Sequence, residues 1–300
     1  MAGVRGILLL DKPSGPTSHD MVYAVRRGAR EKRVGHAGTL DPLATGLLVL
    51  CLGSATRLSE YLAGKDKRYR AQVRLGQTTT TYDAQGDITS EAATLPGRDQ
   101  AEAALEQFRG PQLQVPPQYS AIKRGGQKAY EAARRGEHIE LEARPVEFYE
   151  ITLTAWQPPE LTLEVHCSAG TYIRALAHDL GQALGCGAHL AGLRRTASGQ
   201  LRVEEAVTLE ALNAAFELGH WQQYLRPADT ALADWPAVHL AAEGAQRVLR
   251  GQAVPAGPSE LTAEGAFARA YNPAGEFVAI LRGDLGAGVW RPHKVFNEGQ

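Results

Sequence analysis

The chain has 300 residues, a formal net charge of −1 at pH 7, and 44% hydrophobic and 22% charged residues. This is the composition of a folded protein with room for about two domains, and no apolar run approaches the ~18 residues of a membrane span. Balanced charge argues against a generically basic nucleic-acid binder, and three scattered cysteines (Cys51, Cys167, Cys186) indicate neither a disulfide framework nor a metal site.

Ile7 to Leu10 predicts a short strand running into the turn Asp11-Lys12-Pro13-Ser14-Gly15-Pro16. The stretch is too short for a secretory signal, so a cytoplasmic protein is expected. Thr17 or Ser18 is placed to cap a helix through Arg26 and Arg27. Residues Gly35 to Pro42, Gly-His-Ala-Gly-Thr-Leu-Asp-Pro, hold two glycines and a proline within eight positions, which forces a tight irregular loop presenting Asp41. Leu47 to Leu52 then reads as a buried strand, so the carboxylate is expected beside rigid scaffold and partly out of water. On spacing alone an Asp-Pro pair is a common turn element.

Tyr69, Ala71, Val73 and Leu75 alternate with Arg70, Gln72 and Arg74, the pattern of a half-buried strand. A polar turn follows at Thr78 to Gly86, then a helix at Asp99 to Phe108. Between Gly110 and Pro145 prolines and a basic stretch from about Gln127 to Arg135, expected to be helical, suggest an insertion. Glu160 to Cys167 alternates as a second strand. A helix capped by Thr171 is expected next, with Tyr172 and Arg174 in its first turn and Ile173, Leu176, Ala177, Leu180 and Leu184 on its buried face. Beyond Ala233 to Pro236, a plausible boundary, come a helix at Ala242 to Arg250 and short strands at Ala266 to Tyr271, Glu276 to Leu281 and Val289 to Phe296.

Basic residues cluster at Arg26 to Arg33, at Lys65 to Arg74 and at Lys123 to Arg135, with Tyr69, Tyr119 and Tyr130 interleaved. Such clusters are usually solvated faces, but three around one loop suggest a phosphate-tracking surface with stacking groups.

The run Gly35 to Leu48, Gly-His-Ala-Gly-Thr-Leu-Asp-Pro-Leu-Ala-Thr-Gly-Leu-Leu, resembles the signature of the TruB family of bacterial tRNA pseudouridine-55 synthases. The resemblance makes Asp41 the catalytic carboxylate and His36 an RNA contact near the extruded base. Cys167 to Arg174 resembles a second family motif, implying that Arg174 pairs with Asp41 and Tyr172 lines the pocket. Lys67-Arg68-Tyr69-Arg70 resembles a third, with Tyr69 stacked on the flipped uracil and placed to assist C5 deprotonation. Leu190 to Thr196 resembles a fourth, in which Leu193 supplies an apolar wall. Asp11 to Gly15 resembles the first, in which Lys12 and Pro13 support the active-site loop.

The resemblance implies an α+β fold: a mixed, largely antiparallel central sheet with flanking helices over residues 1–232, interrupted at about 110–145 by an RNA-clamping insertion that orders on RNA. A small β-barrel-like PUA-type RNA-binding domain is expected at 235–300. The substrate implied is the T-arm of tRNA, bound through Lys12, His36, Lys67, Arg68, Lys123, Arg124, Lys128, Tyr172 and Leu193. Uridine isomerisation needs no cofactor, and none is expected; nor is a metal, a membrane or a protein partner, and the chain is expected to be monomeric. The rival readings are a pseudouridine synthase for another RNA, and a tRNA-binding chaperone whose chemistry is incidental.

Overall fold

The computed structural model describes residues 4–120, 123–124, 127–128, 135, 137, 139–257, 261 and 263–296. Its centre is an eleven-stranded mixed sheet. The strands that build the middle are β1 (Gly6–Lys12), β2 (Val34–His36), β3 (Thr45–Leu52) and β4 (Lys67–Leu75). A two-stranded ribbon, β5 (Gln77–Thr79) and β6 (Ile88–Glu91), branches off, and β7 (Gly110–Gln114) forms one edge. Within the insertion β8 (Lys123–Arg124) pairs antiparallel with β9 (Gln127–Lys128). The expected basic helix therefore does not begin at Gln127, and its continuation at 129–134 lies outside the described residues.

The sheet is completed by β10 (Arg144–Gln157), β11 (Glu160–Cys167), β12 (Ala188–Ser198), β13 (Leu201–Arg202), β14 (Val207–Thr208) and β15 (Leu225–Arg226), in the order β14-β1-β3-β12-β4-β11-β10-β7. Most ladders are antiparallel; β1–β14 and β3–β12 are parallel. Central β3 is apolar on both faces and all but its first residue are buried, as a strand covered on both sides must be. β4 keeps the period of two seen in its sequence: Tyr69, Ala71, Val73 and Leu75 point inward, Arg70 and Gln72 outward.

Helices cover the inner face and share one core with its strands. Helix α1 (Ser18–Ala29) starts with a capping box, Thr17 accepting from the Asp20 amide while Asp20 accepts from the Thr17 amide. Short helix α2 (Ser59–Ala63) and helix α3 (Arg98–Glu106) precede helix α4 (Ile173–Ala183). Helix α4 is capped at Tyr172 without a side-chain bond; Thr171 lies one residue before the cap, and its hydroxyl donates to the Ser168 carbonyl. Its Ile173, Leu176, Ala177 and Leu180 pack with Leu48, Leu50, Ala71 and Val73, each fully buried leucine, isoleucine or valine contributing about 1.5–3 kcal/mol. Helix α5 (Leu209–Leu218) closes the far end.

A second sheet, β16 (Ala237–His239), β17 (Val254–Pro255), β18 (Phe267–Tyr271), β19 (Phe277–Asp284) and β20 (Val289–Val295), takes the order β16-β18-β19-β20-β17 and is covered by helix α6 (Ala242–Leu249). Val238, Val248, Leu281 and Trp290 form its own core. Its other side meets the outer face of β1 and β3, where Tyr271, Phe277, Ile280 and Phe296 pack in one cluster with Ile7, Leu9, Val49 and Cys51. Polar ties cross the same seam: Arg57 Nη1 donates to Val295 O at 2.6 Å and Arg5 Nη2 to Phe277 O at 3.1 Å. Among the described residues no helix is long and apolar enough to cross a membrane.

Candidate active site

The loop between β2 and β3 is held from below by its own backbone and by two buried cations. Gly38 adopts φ +99°, a conformation open to glycine, and turns the chain. The Ser18 hydroxyl donates to Leu40 O at 2.9 Å and accepts from Leu40 N at 2.8 Å. The Lys12 ammonium, fully buried, donates to Pro42 O at 3.3 Å, to Ala44 O at 2.7 Å and to Pro13 O at 2.9 Å. From β12 the Arg195 guanidinium, 1% exposed, donates to Gly38 O, Thr39 O and Leu47 O. The two cations thus take carbonyls on both sides of Asp41. Where β12 runs beside β3, Gly46 (φ +94°) leaves room for the Arg195 backbone; a Cβ there would lie 2.3 Å from the Arg195 carbonyl oxygen.

Above this base the Asp41 carboxylate faces Arg174, with Oδ2 2.9 Å from Nε. The Nε–H does not point at that oxygen and has no hydrogen-bond partner, so the pair is ionic rather than a directed bond. Arg174 is 6% exposed at the side chain and Asp41 38%. A cation in the first turn of α4 opposes the helix dipole, and the compensation is carboxylate on two sides: Asp83 Oδ2 lies 3.6 Å from Arg174 Nη1. The Arg174 amines also donate to Thr81 O and Tyr119 O. Asp83 is in turn fixed by the Thr81 hydroxyl at 2.6 Å and the Gln85 amide at 3.0 Å.

Withdrawal from bulk water pushes the Asp41 carboxyl above the ordinary Asp range; Arg174 pulls it back, and the like charge of Asp83 pushes it up again. The 38% opening to solvent tempers the first effect. The result is a carboxyl whose burial raises its pKa and whose one shared guanidinium opposes that rise, open on one side and, in its ionised form, able to act as nucleophile or base.

The expected aromatic groups flank it. Tyr69, 8% exposed, lies opposite Arg195 in the β4–β12 register; burial raises its phenol pKa and the Arg195 charge opposes this. Tyr172 is anchored through its backbone, its amide donating to Gln114 Oε1 at 2.8 Å and its carbonyl accepting from Gln114 Nε2 at 3.0 Å. Leu193 lies opposite Ala71 on the inner face and packs against the main core. His36 ends β2, its pKa lowered by burial and then by Arg195, and its Nδ1 is buried without a hydrogen-bond partner.

Other expected contacts lie elsewhere. Lys12 and Lys67 are buried, which corrects the expectation that they touch RNA. Lys67, 5% exposed, turns inward to the carbonyls of Leu62, Ala63 and Lys65 at the end of α2. Arg68 stays on the outer sheet face, 3.6 Å from Glu150; Arg70 and Arg74 pair there with Glu164 and Glu160. That cluster is largely matched by carboxylates of its own sheet rather than left open for phosphates. Lys123, Arg124 and Lys128 lie on the described β8–β9 backbone. Asp83 and Arg195 escaped the sequence reading. Asp83 sits in a polar turn with no distinguishing neighbour, and Arg195 adjoins Arg194, whose bidentate pair with Asp11 is on the outer face.

The sequence matches the family model described as TruB family pseudouridylate synthase (N terminal domain) over residues 26–173, and tRNA pseudouridylate synthase B C-terminal domain over residues 174–233. It is 46% identical over 301 aligned residues to tRNA pseudouridine synthase B of Cupriavidus metallidurans, covering 97% of this chain and 94% of that one. With tRNA pseudouridine synthase B of Pseudomonas aeruginosa it shares 45% over 280 residues, covering 92% and 91%. Among solved structures it is similar to an H/ACA RNP bound to a substrate RNA containing 2′-deoxyuridine (TM-score 0.74, 26% identity, 97% of this chain and 85% of that one). A Cbf5-Nop10-Gar1 complex gives the same TM-score at 28% identity, again covering 97% and 85%.

Proposed function

The chain belongs to the TruB family of pseudouridylate synthases, and from that membership together with the Asp41–Arg174 pair we propose that it converts uridine to pseudouridine in tRNA, at position 55 of the T-loop. It is an isomerase. The N1–C1′ bond breaks, the uracil turns within the site, C5 bonds to C1′, the C5 proton leaves and N1 takes up a proton, so atoms and electrons balance without a redox partner. Asp41 supplies the carboxylate that acts on the nucleotide. Arg174 keeps it charged and aimed, and Asp83 holds Arg174 from behind. Tyr69 lies against the flipped base and assists removal of the C5 proton; Tyr172 and Leu193 wall the pocket, and His36 meets the RNA beside it. The observation that carries the reading is the 2.9 Å Asp41–Arg174 contact in a recess that is open above and braced below.

A stacked uridine cannot reach Asp41, so the base flips out at a cost of about a few kcal/mol, which RNA contacts must offset. We assign those contacts to the insertion at about 110–145, with Lys123, Arg124 and Lys128, and to a PUA-like unit at 235–300 that follows a catalytic domain of residues 1–232. The chain acts as a cytoplasmic monomer.

The test is an unmodified tRNA transcript tritiated at uracil C5, incubated with the purified protein without cofactor or metal. Tritium release confined to the T-loop uridine is expected. Asp41→Asn should abolish release while leaving tRNA affinity within about tenfold, because it removes the reactive carboxylate and almost no binding surface. Release from another uridine would overturn the target; full turnover by Asp41→Asn would remove Asp41 from the mechanism; tRNA binding without release would favour a chaperone.

A further inference from the structure

We propose that Arg195 is a positioning residue for this reaction: its guanidinium fixes the backbone of the loop that carries Asp41, so that its loss falls on the chemical step and not on RNA binding. The inference rests on the functional reading above.

Arg195 is 1% exposed, and among the described residues no carboxylate lies within ion-pair distance of it. A buried cation without a counter-charge costs several kcal/mol, and an apolar side chain could fill the same space without that cost. What the guanidinium supplies instead is direction. Its planar fork sends Nη2 to Gly38 O at 3.1 Å, Nη1 to Thr39 O at 3.4 Å and Nε to Leu47 O at 2.7 Å. The first two carbonyls lead into Asp41 and the third lies just past the loop in β3, so a single side chain ties the entrance of the loop to its exit. Lysine cannot reproduce this, since an ammonium has no rigid fork.

The position matters as much as the bonds. Arg195 follows Leu193 by two residues on β12 and stands opposite Tyr69 on β4, so the strand that braces the carboxylate loop also builds the aromatic and apolar walls. Buried under the loop, it has no surface to offer to RNA. A displacement of about 1 Å in a reacting group can cost about a hundredfold in rate, which is what an untied loop would permit.

The test compares wild type, Arg195→Lys and Arg195→Met, with Asp41→Asn as the zero reference. Single-turnover tritium release at saturating enzyme, the tRNA Kd and thermal melting are measured on each. Arg195→Lys should turn over about tenfold slower and Arg195→Met about a hundredfold slower, with Kd within about threefold and the protein folded at assay temperature. Should Arg195→Met fail to fold, Arg195→Lys decides alone. A folded Arg195→Lys with wild-type rate, or a rate loss no larger than the loss of tRNA affinity or of folded protein, overturns the proposal. Absence of release from wild type would overturn the functional reading itself, so the two failures are distinguishable.

Discussion

At the scale of single residues, Lys12 couples the loop to pH. Burial draws its ammonium from 10.5 to about 8. Between those values the unfolded chain holds a proton that the folded chain has lost, so this group makes stability rise with pH in that window, and below pH 8 its charge is a constant cost. Urea denaturation of wild type and Lys12→Met across pH 7 to 10.5 should show wild type gaining on the variant by on the order of 3 kcal/mol, all of it above about pH 8. A gap that stays constant with pH would contradict this. Turnover should move the opposite way over the same range, since losing the proton weakens the hold on Pro42 O and Ala44 O. Two glycines give a second contrast. Gly46→Ala meets the Arg195 backbone and carries a positive φ, so it should cost about 2–4 kcal/mol. Gly15→Ala also has a positive φ but open space around its Cβ, so it should cost only the backbone strain of about 1–2 kcal/mol.

At the scale of elements, the outer face of β4 holds Arg70 and Arg74 in register with Glu164 and Glu160 of β11. Exposed pairs of this kind contribute about 0–1 kcal/mol each. Replacing both arginines by glutamine should therefore leave stability nearly unchanged, and should change the tRNA Kd by less than about threefold without flattening its salt dependence. A clearly shallower salt slope would return this face to the RNA-binding surface. The same strand shows why part of the fold was legible. β4 alternates without interruption, and β3 is uniformly apolar. β10 was not foreseen as a strand, because its pairing with β11 slips between Phe148 and Glu150 and between Leu153 and Ala155, and each slip resets the period. β12 was hidden likewise by slips at Leu190/Gly192 and Arg195/Ala197. Those slips explain the site as well: Asp41 and Arg174 stand in local runs that announce them, whereas adjacent Arg194 and Arg195 go to opposite faces and their sequence does not say which is buried. Thr171 suits a cap by residue type alone, but the helix begins at Ile173 and puts Tyr172 at the cap position.

At the scale of the whole molecule, the second sheet shares a core with the first. Ile7, Leu9, Val49 and Cys51 are covered by Tyr271, Phe277, Ile280 and Phe296, with Trp235 stacked on Phe267 and edge-on to Tyr61 beside them. Truncation after residue 234 should therefore expose a continuous apolar face and yield a protein that aggregates or binds ANS, even though Asp41, Tyr69 and Arg174 are all retained. A soluble truncated protein with the wild-type melting temperature would show that the seam is dispensable. The order of strands also sets a schedule for biosynthesis. β1, made first, pairs with β14 and β15, and Gly38 waits for an arginine 157 residues downstream. At about 5–20 residues per second the ribosome needs roughly 8–30 s to close that gap. Until then the loop carbonyls face water and Lys12 has no finished pocket, so a nascent chain stalled before β12 carries Asp41 without the bracing that sets its geometry. The protein becomes an enzyme late in its own translation.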